Sequence, residues 1–325
     1  MLEINFKILK EINDNEFITQ RKLASLTGVS LGKINSLLKE FIENGFIEKH
    51  LVDKRVRYEI TKLGEDLLVD WIELAMETKL NINDSTIKKN VKQAVILGAG
   101  KQKDFNIPTG VLPIGDNLII ERTISILKEF GIEKILIITG FKSEEYNNAI
   151  SKYDNVSCVY NPNYINTGTM SSLACAKGII SDDFILVESD LVFEKRAIKF
   201  LTDNIIRDCA LITDVSGIGD ETFVEIRNNY LYKIGKDMHQ FNKIDGEFVG
   251  ITKLSFKLFN LMLDEFSKNI NPMVNYEYIL LDVARTYDVG YVKVDALKWG
   301  EVDTLEQYNK IKNNIFPNIN KNDNL

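Results

Sequence analysis

The chain has 325 residues, a formal net charge of −7, 45% hydrophobic and 27% charged residues. That balance excludes disordered, fibrous and membrane-embedded classes, and the length leaves room for two cores. The acidic excess argues against a general nucleic-acid coat protein, while allowing a local basic patch or a metal-bridged anionic ligand.

In chain order, the start carries Glu3 and no long apolar run, so neither a signal peptide nor an anchor is expected and the protein is expected in the cytoplasm. Phe6, Ile8, Leu9 and Ile12 fit a first helix. Thr19 is placed to N-cap a second containing Leu23, Ala24 and Leu26, which Gly28 ends. Ser30 is placed to cap a third, whose Ile34, Leu37, Leu38, Phe41 and Ile42 share one face and which Gly45 closes. Phe46–Leu51 and Arg57–Ile60 read as strands around the polar turn Val52-Asp53-Lys54-Arg55, a hairpin with a basic tip. This order resembles the winged helix-turn-helix domains of MarR-type regulators, with Thr27-Gly28-Val29-Ser30 as the turn. The resemblance implies that Lys33, Asn35, Ser36 and Lys39 face DNA from the third helix, with Lys54, Arg55 and Arg57 on the phosphate backbone. Acidic residues nearly cancel the basic ones here, so dimerisation or protein docking stays open beside DNA contact.

From Lys62 to Lys79, Leu63, Leu67, Trp71, Leu74 and Ala75 fit one face of a connector helix, which the polar run Asn81-Ile82-Asn83-Asp84-Ser85 ends. The expected division is a winged helix over 1–61, a connector over 62–90 and a transferase domain over 91–325. The connector is also a candidate dimer seam, and a homodimer is expected. Further on, Ala94–Leu97, Lys134–Thr139, Phe184–Val187 and Ala210–Ile212 are apolar strands without alternation, with a helix near Ile119 to Phe130 between the first two. They predict a Rossmann-like, doubly wound α/β fold with a mostly parallel sheet, preceded by a small α+β winged-helix domain. Asn318 to Leu325 are polar and expected to fray. Cys158, Cys175 and Cys209 are odd in number and lie among apolar residues, so buried free thiols are expected.

Ala94-Val95-Ile96-Leu97 runs into Gly98-Ala99-Gly100-Lys101, a turn whose small residues let backbone N–H groups approach phosphate oxygens. It lacks the third glycine and the ribose-binding acid of a dinucleotide site. Next come Val111-Leu112-Pro113-Ile114-Gly115-Asp116, Leu118-Ile119-Ile120-Glu121-Arg122-Thr123 and Ile137-Ile138-Thr139-Gly140-Phe141. Asn161-Pro162-Asn163-Tyr164 with Gly168-Thr169-Met170-Ser171-Ser172-Leu173, then Glu188-Ser189-Asp190, and finally Lys298-Trp299-Gly300-Glu301-Val302-Asp303-Thr304 complete the series. In this order they resemble nucleotidyltransferases of the phosphocholine and sugar-phosphate cytidylyltransferase type, the Ser171 element being shared with molybdopterin cytidylyltransferases. The resemblance covers essentially everything after the connector. It implies nucleotide binding by Leu97, Gly98, Ala99, Gly100, Thr139, Gly140, Ser171 and Ser172, and Mg2+ held by Asp190 and Asp303.

In nucleotidyl transfer a phosphate oxygen of the acceptor attacks the α-phosphorus of a nucleoside triphosphate, so two anions must be brought together. Mg2+ on two carboxylates relieves that repulsion. The chain departs from the family where another Gly, an Arg and a Pro-Lys pair are usual. It has Lys101-Gln102-Lys103-Asp104 and Pro108-Thr109-Gly110-Val111 instead. Lys101 and Lys103 are the catalytic candidates to supply the missing charge; a loop that binds without turnover is the alternative. Gly246–Ile251 and Asn275–Tyr278 resemble acceptor-pocket stretches, which makes Glu247, Tyr276 and Glu277 substrate-binding candidates suited to an ammonium group; Trp299 and Glu301, in the Lys298–Thr304 segment, are substrate-binding candidates as well. Lys236 is a candidate for the acceptor phosphate; simple packing of Tyr276 and Tyr278, and a merely solvated Lys236, are the alternatives. The expected function is transfer of CMP from CTP to a small phosphorylated alcohol or phosphonate such as phosphocholine. The alternative is a transcription regulator whose transferase-like half senses a nucleotide or CDP-conjugate.

Overall fold

Two side-chain caps and a left-handed glycine divide the first unit into helices. Thr19 accepts from Lys22 N ahead of Gln20–Thr27, and Gly28 closes that helix at φ 68°, a conformation that residues with a Cβ avoid. Ser30 accepts from Lys33 N ahead of Leu31–Glu43. With Leu2–Asp14, these helices bury Ile8, Leu9, Leu23, Ile34, Leu38 and Phe41 in one core. The antiparallel hairpin of Ile47–Val52 and Arg55–Ile60 closes it through Ile47 and Tyr58. The computed structural model describes residues 2–15, 17–52, 55–68, 91–204, 206–217 and 219–323. Lys54, and Trp71, Leu74 and Ala75 of the expected connector, lie outside them. Helix is present over 62–68, with Leu68 in the same core. The chain divides into two compact units, Met1–Lys88 with Asn204–Ile206, and Lys89–Asp203 with Arg207–Leu325.

The second unit is built on a nine-stranded sheet among the described residues. Its centre runs Phe184–Glu188, Gln93–Gly98, Lys134–Thr139, Val156–Tyr160, all parallel. Ala94 to Leu97 and Ile135 to Ile138 are buried without interruption, as strands covered on both faces must be. The chain first adds Lys134–Thr139 and Val156–Tyr160 on one side of Gln93–Gly98, then returns to lay Phe184–Glu188 on the other. Strand order therefore reverses between Gln93–Gly98 and Phe184–Glu188. Open α/β sheets bind ligands outside the carboxyl ends of the strands at such a reversal. The α/β class read from the sequence is the class observed. Beyond Phe184–Glu188 the sheet continues in antiparallel fashion through Gly246–Leu254, which also pairs with Phe223–Arg227 and Cys209–Thr213.

The tail that reads as frayed from Asn318 onward is instead a helix, Phe316–Asp323. Ile319 is fully buried, and the Asp323 carboxylate takes Arg122 at 2.7 Å and the amide of Lys195 at 2.9 Å. A single apolar residue in a polar run gave no periodicity to read. All three cysteines are free thiols, but of those expected to be buried only Cys209 is, while Cys158 and Cys175 are half-buried, because each lies in or next to an element with one face partly open; partial burial pushes Cys158 up to about 11. Among the described residues no helix is long and apolar enough to cross a membrane.

Asp208 shows how the antiparallel half is fastened. It is fully buried and accepts from Ser255 N, from Ser255 Oγ at 2.9 Å and from Tyr287 Oη at 2.7 Å. Ser255 in turn caps Phe256–Lys268. Asp208→Ala leaves these donors buried without an acceptor and is expected to cost about 3 kcal/mol. Urea unfolding checks this, since an unchanged midpoint would show that the three bonds contribute nothing net.

Candidate active site

The glycine turn leaves the central strand at the reversal point, and a ladder of hydrogen bonds ties its neighbours to it. Phe141 N donates to Ala99 O at 3.0 Å, and Asn161 N to Thr139 O at 2.7 Å. Asn161 Nδ2 then reaches Ser172 Oγ at 3.1 Å. Ala99, Thr139, Gly140 and Ser172 thus line one edge, with Ser171 half-buried in the first turn of Thr169–Ala174. Glycine is required where these turns nest. A Cβ on Gly98 would sit 2.6 Å from the Tyr146 hydroxyl, and one on Gly140 would sit 2.6 Å from Ala99 O. Gly100 faces open space, leaving its backbone accessible to a ligand.

Leu97 O accepts from Ser189 N at 3.0 Å, which sets the Glu188-Ser189-Asp190 turn beside the glycines. A short antiparallel pairing of Leu191–Phe193 with Trp299–Glu301, extended by Val302 N donating to Asp190 O at 3.1 Å, brings the second acidic segment alongside. One oxygen each of Glu188, Asp190 and Glu301 lie within 4.8 Å of one another. Burial pushes all three carboxyls up, and mutual repulsion adds to it: Asp303 on Asp190, Asp190 and Asp303 on Glu301, Glu301 and Asp190 on Glu188. Asp303 is itself raised by burial and then by Asp220. Asp190 Oδ1 is buried with no hydrogen-bond partner among the described residues. An orphaned, buried carboxylate oxygen beside two more acids is unfavourable for the protein alone, and an all-oxygen set of this kind suits a hard divalent cation.

Sequence reasoning singled out Asp190 and Asp303, placed Glu301 with the acceptor ligands and passed over Glu188. The available signal was the two-residue spacing Glu188/Asp190 and Glu301/Asp303, in which a strand ends on one acid and the turn after it carries a second. Gln102 was also passed over; its amide donates to Asp303 Oδ1.

Of the acceptor-side candidates, Lys236 stands 2.7 Å from Asp220, and its charge draws Glu277, Glu301 and Asp303 downward against their burial. Tyr276 is buried with its ring near Phe248, at 6.3 Å between centroids, and its hydroxyl donates to Glu188 Oε1 at 2.8 Å. It packs and reaches the site at once. Glu277 lies in the first turn of the same helix, Tyr276–Val283. Trp299 is half-buried at the head of the strand that delivers Glu301. Glu247 is buried and accepts from Ser216 N at 2.7 Å, which ties it to the backbone of the loop preceding Glu221. Lys101 Nζ lies 5.1 Å from the centre of the Phe141 ring, and Lys101 and Lys103 are both exposed.

In the first unit, Lys33, Asn35, Ser36 and Lys39 are exposed on Leu31–Glu43, opposite the buried Ile34, Leu37 and Leu38. Lys39 pairs with Glu43 at 3.5 Å and Arg57 with Glu59 at 3.5 Å. Arg55 opens the second strand of the hairpin.

Residues 94–232 match the MobA-like NTP transferase domain, and residues 1–48 match the winged helix-turn-helix DNA-binding family. A bifunctional IPC transferase and DIPP synthase of Thermococcus kodakarensis is 28% identical over 228 residues, covering 68% of this chain and 50% of that protein. The chain therefore spans half the length of that relative. A CTP:phosphoglutamine cytidylyltransferase of Campylobacter jejuni is 23% identical over 242 residues, covering 65% of this chain and 95% of the relative. The solved inositol-1-phosphate CTP transferase of T. maritima shares the fold, with a TM-score of 0.61 at 15% identity over 72% of this chain and 97% of that one.

Proposed function

We propose, for a chain whose residues 94–232 are a MobA-like NTP transferase domain, that the second unit is a Mg2+-dependent cytidylyltransferase. It moves CMP from CTP to a small phosphorylated alcohol or phosphonate, phosphocholine-like in carrying a cationic group, and it works in the cytoplasm as a homodimer. The observation that carries this reading is the convergence of Glu188, Asp190 and Glu301, with the orphaned Asp190 oxygen among them, beside a glycine turn at a strand reversal. The activity named for the Campylobacter relative supports cytidine.

The residues divide the work as follows. Backbone N–H groups after Leu97, at Gly98, Ala99 and Gly100, receive the triphosphate, and Lys101 and Lys103 neutralise its outer oxygens. Thr139, Gly140, Ser171 and Ser172 border the nucleoside. Asp190 with Glu188 and Glu301, and Asp303 alongside, would hold Mg2+, which would supply positive charge to offset the repulsion of the two anionic reactants. Lys236 gives up Asp220 for the acceptor phosphate. One acceptor oxygen bonds to the α-phosphorus as the bond from that phosphorus to the pyrophosphate oxygen breaks, and no proton need move. Tyr276, Glu277 and Trp299 hold the cationic end of the acceptor, and Glu247 braces the neighbouring loop.

Pyrophosphate release from four nucleoside triphosphates over a panel of phosphorylated acceptors tests this. CTP with a phosphorylated amino alcohol is expected to turn over only when Mg2+ is present. If no pair releases pyrophosphate while CTP still binds, the domain is a sensor within a regulator, the reading that the altered loop favours. For the first unit we propose DNA contact by Lys33, Asn35, Ser36 and Lys39, with Lys54, Arg55 and Arg57 on phosphates. A gel shift on DNA upstream of its own gene should weaken steeply with salt; absence of any shift at low salt would leave a docking unit.

A further inference from the structure

The loop that replaces the family's arginine segment is held by alternate residues. Lys101 and Lys103 are exposed, while Gln102 donates to Asp303 Oδ1 and Asp104 Oδ2 accepts from Leu305 N at 3.0 Å. Each of these bonds spans 201 positions of sequence. Further along the same loop, Phe105 is buried edge-on against Tyr308, 6.2 Å between centroids, and the Tyr308 hydroxyl donates to Pro113 O at 2.6 Å. All four attachments lead to the segment from Asp303 to Tyr308. Two carry a side chain of the loop to the acid-bearing turn or the residue after it; the other two are packing and a backbone carbonyl.

We infer that Gln102 and Asp104 form a staple that docks the phosphate loop on the Asp303 turn, with Gln102 a positioning residue for the Asp303 carboxylate. The inference rests on the transferase reading above. The amide takes one carboxylate oxygen and so restrains rotation of the group, much as outer partners orient metal-binding carboxylates elsewhere. Lys101 and Lys103, on either side of Gln102, stay exposed, while a turn closed by Phe105 N donating to Gln102 O at 3.3 Å fixes the backbone between them. Loss of arginine is thereby offset by two lysines whose backbone is fixed. Nucleotide pulling on the loop and cation pulling on Asp303 act on a single connected piece, so each ligand should strengthen the other.

The test uses the full chain with Gln102→Glu, Gln102→Lys and Asp104→Asn. Hydrogen–deuterium exchange over residues 101–105, followed by mass spectrometry, reads the docking of the loop without requiring turnover. CTP affinity at fixed Mg2+, from thermal-shift titration, reads its consequence. Gln102→Glu sets a carboxylate against Asp303 and is expected to speed exchange and weaken CTP by about tenfold each. Asp104→Asn is expected to speed exchange by a smaller factor, since its remaining oxygen still accepts from Leu305 N. Gln102→Lys keeps a donor to Asp303 and is expected to recover most of the protection and affinity that Gln102→Glu loses. Equal exchange and CTP affinity in Gln102→Glu and wild type would overturn the inference, and so would a Gln102→Lys protein as impaired as Gln102→Glu, which would mean packing alone. Failure of the wild type to release pyrophosphate counts against the transferase reading only, because the exchange arm is decided separately.

Discussion

Asp190→Asn should reduce pyrophosphate release by about 10³-fold and, in the same protein, raise the unfolding midpoint measured in chelator. The two effects have one origin. Asp190 sits where its oxygen finds no hydrogen-bond partner among the described residues and where Asp303, Glu188 and Glu301 all repel its charge. Without a cation this arrangement is strained electrostatically, and only a ligand that binds the folded site recovers the loss. An amide has the shape of the carboxylate, removes one negative charge and offers donors to the neighbouring acids. The metal-free variant is therefore expected to gain roughly 0.5–2 kcal/mol. Wild type should gain stability on adding Mg2+, and the variant should lose most of that gain. Scanning fluorimetry with and without Mg2+, beside a pyrophosphate assay, reads both effects. A variant that keeps wild-type turnover would sink the assignment; one that is less stable in chelator would show Asp190 to be a structural acid.

How far the sequence could reach depended on how local each signal was. The parallel strands were legible because Ala94 to Leu97 and Ile135 to Ile138 are unbroken apolar runs, and the helix starts at Thr19 and Ser30 because capping is read within three residues. Gly98 and Asp190 were legible because each follows such a strand. The antiparallel half was harder: Phe223–Arg227 and Tyr230–Gly235 mix charged and apolar residues and pair across a register shift at Glu225/Ile226. Glu188 was hidden by being the last residue of an otherwise apolar strand, where an acid reads as the strand's end. Gln102 and Asp104 were beyond reach altogether, since their partners lie 201 positions away and neither side chain has a motif of its own. The buried end of the chain failed for the opposite reason, one isoleucine being too little for a periodic signal.

The loss expected from Lys101→Ala combined with Lys103→Ala is about 10²–10³-fold in kcat/KM, with CTP affinity and turnover both falling. The site already holds Glu188, Asp190, Glu301 and Asp303, so a triphosphate approaching it meets acids unless the loop answers with cations. Lys236 pairs with Asp220 and lends its charge to Glu277, and on the glycine-turn side the exposed Lys101 and Lys103 stand with Lys142, whose Nζ lies 5.8 Å from the centre of the Phe141 ring. Lys101 rests over Phe141, a contact of roughly 0.5–1 kcal/mol at an exposed site, small enough to be exchanged for a phosphate. Because both ammonium groups are exposed, part of their effect acts through solvent, and salt should shrink it as the screening length falls below about 10 Å. Kinetics of the double variant at two ionic strengths separate the possibilities. A loss that fades with salt marks long-range steering, whereas one that persists marks direct contact with the transferring phosphates. A double variant with unaltered kcat/KM at both salts would mean that the triphosphate is neutralised elsewhere, and the loop would then be a fixed wall of the site rather than part of its chemistry.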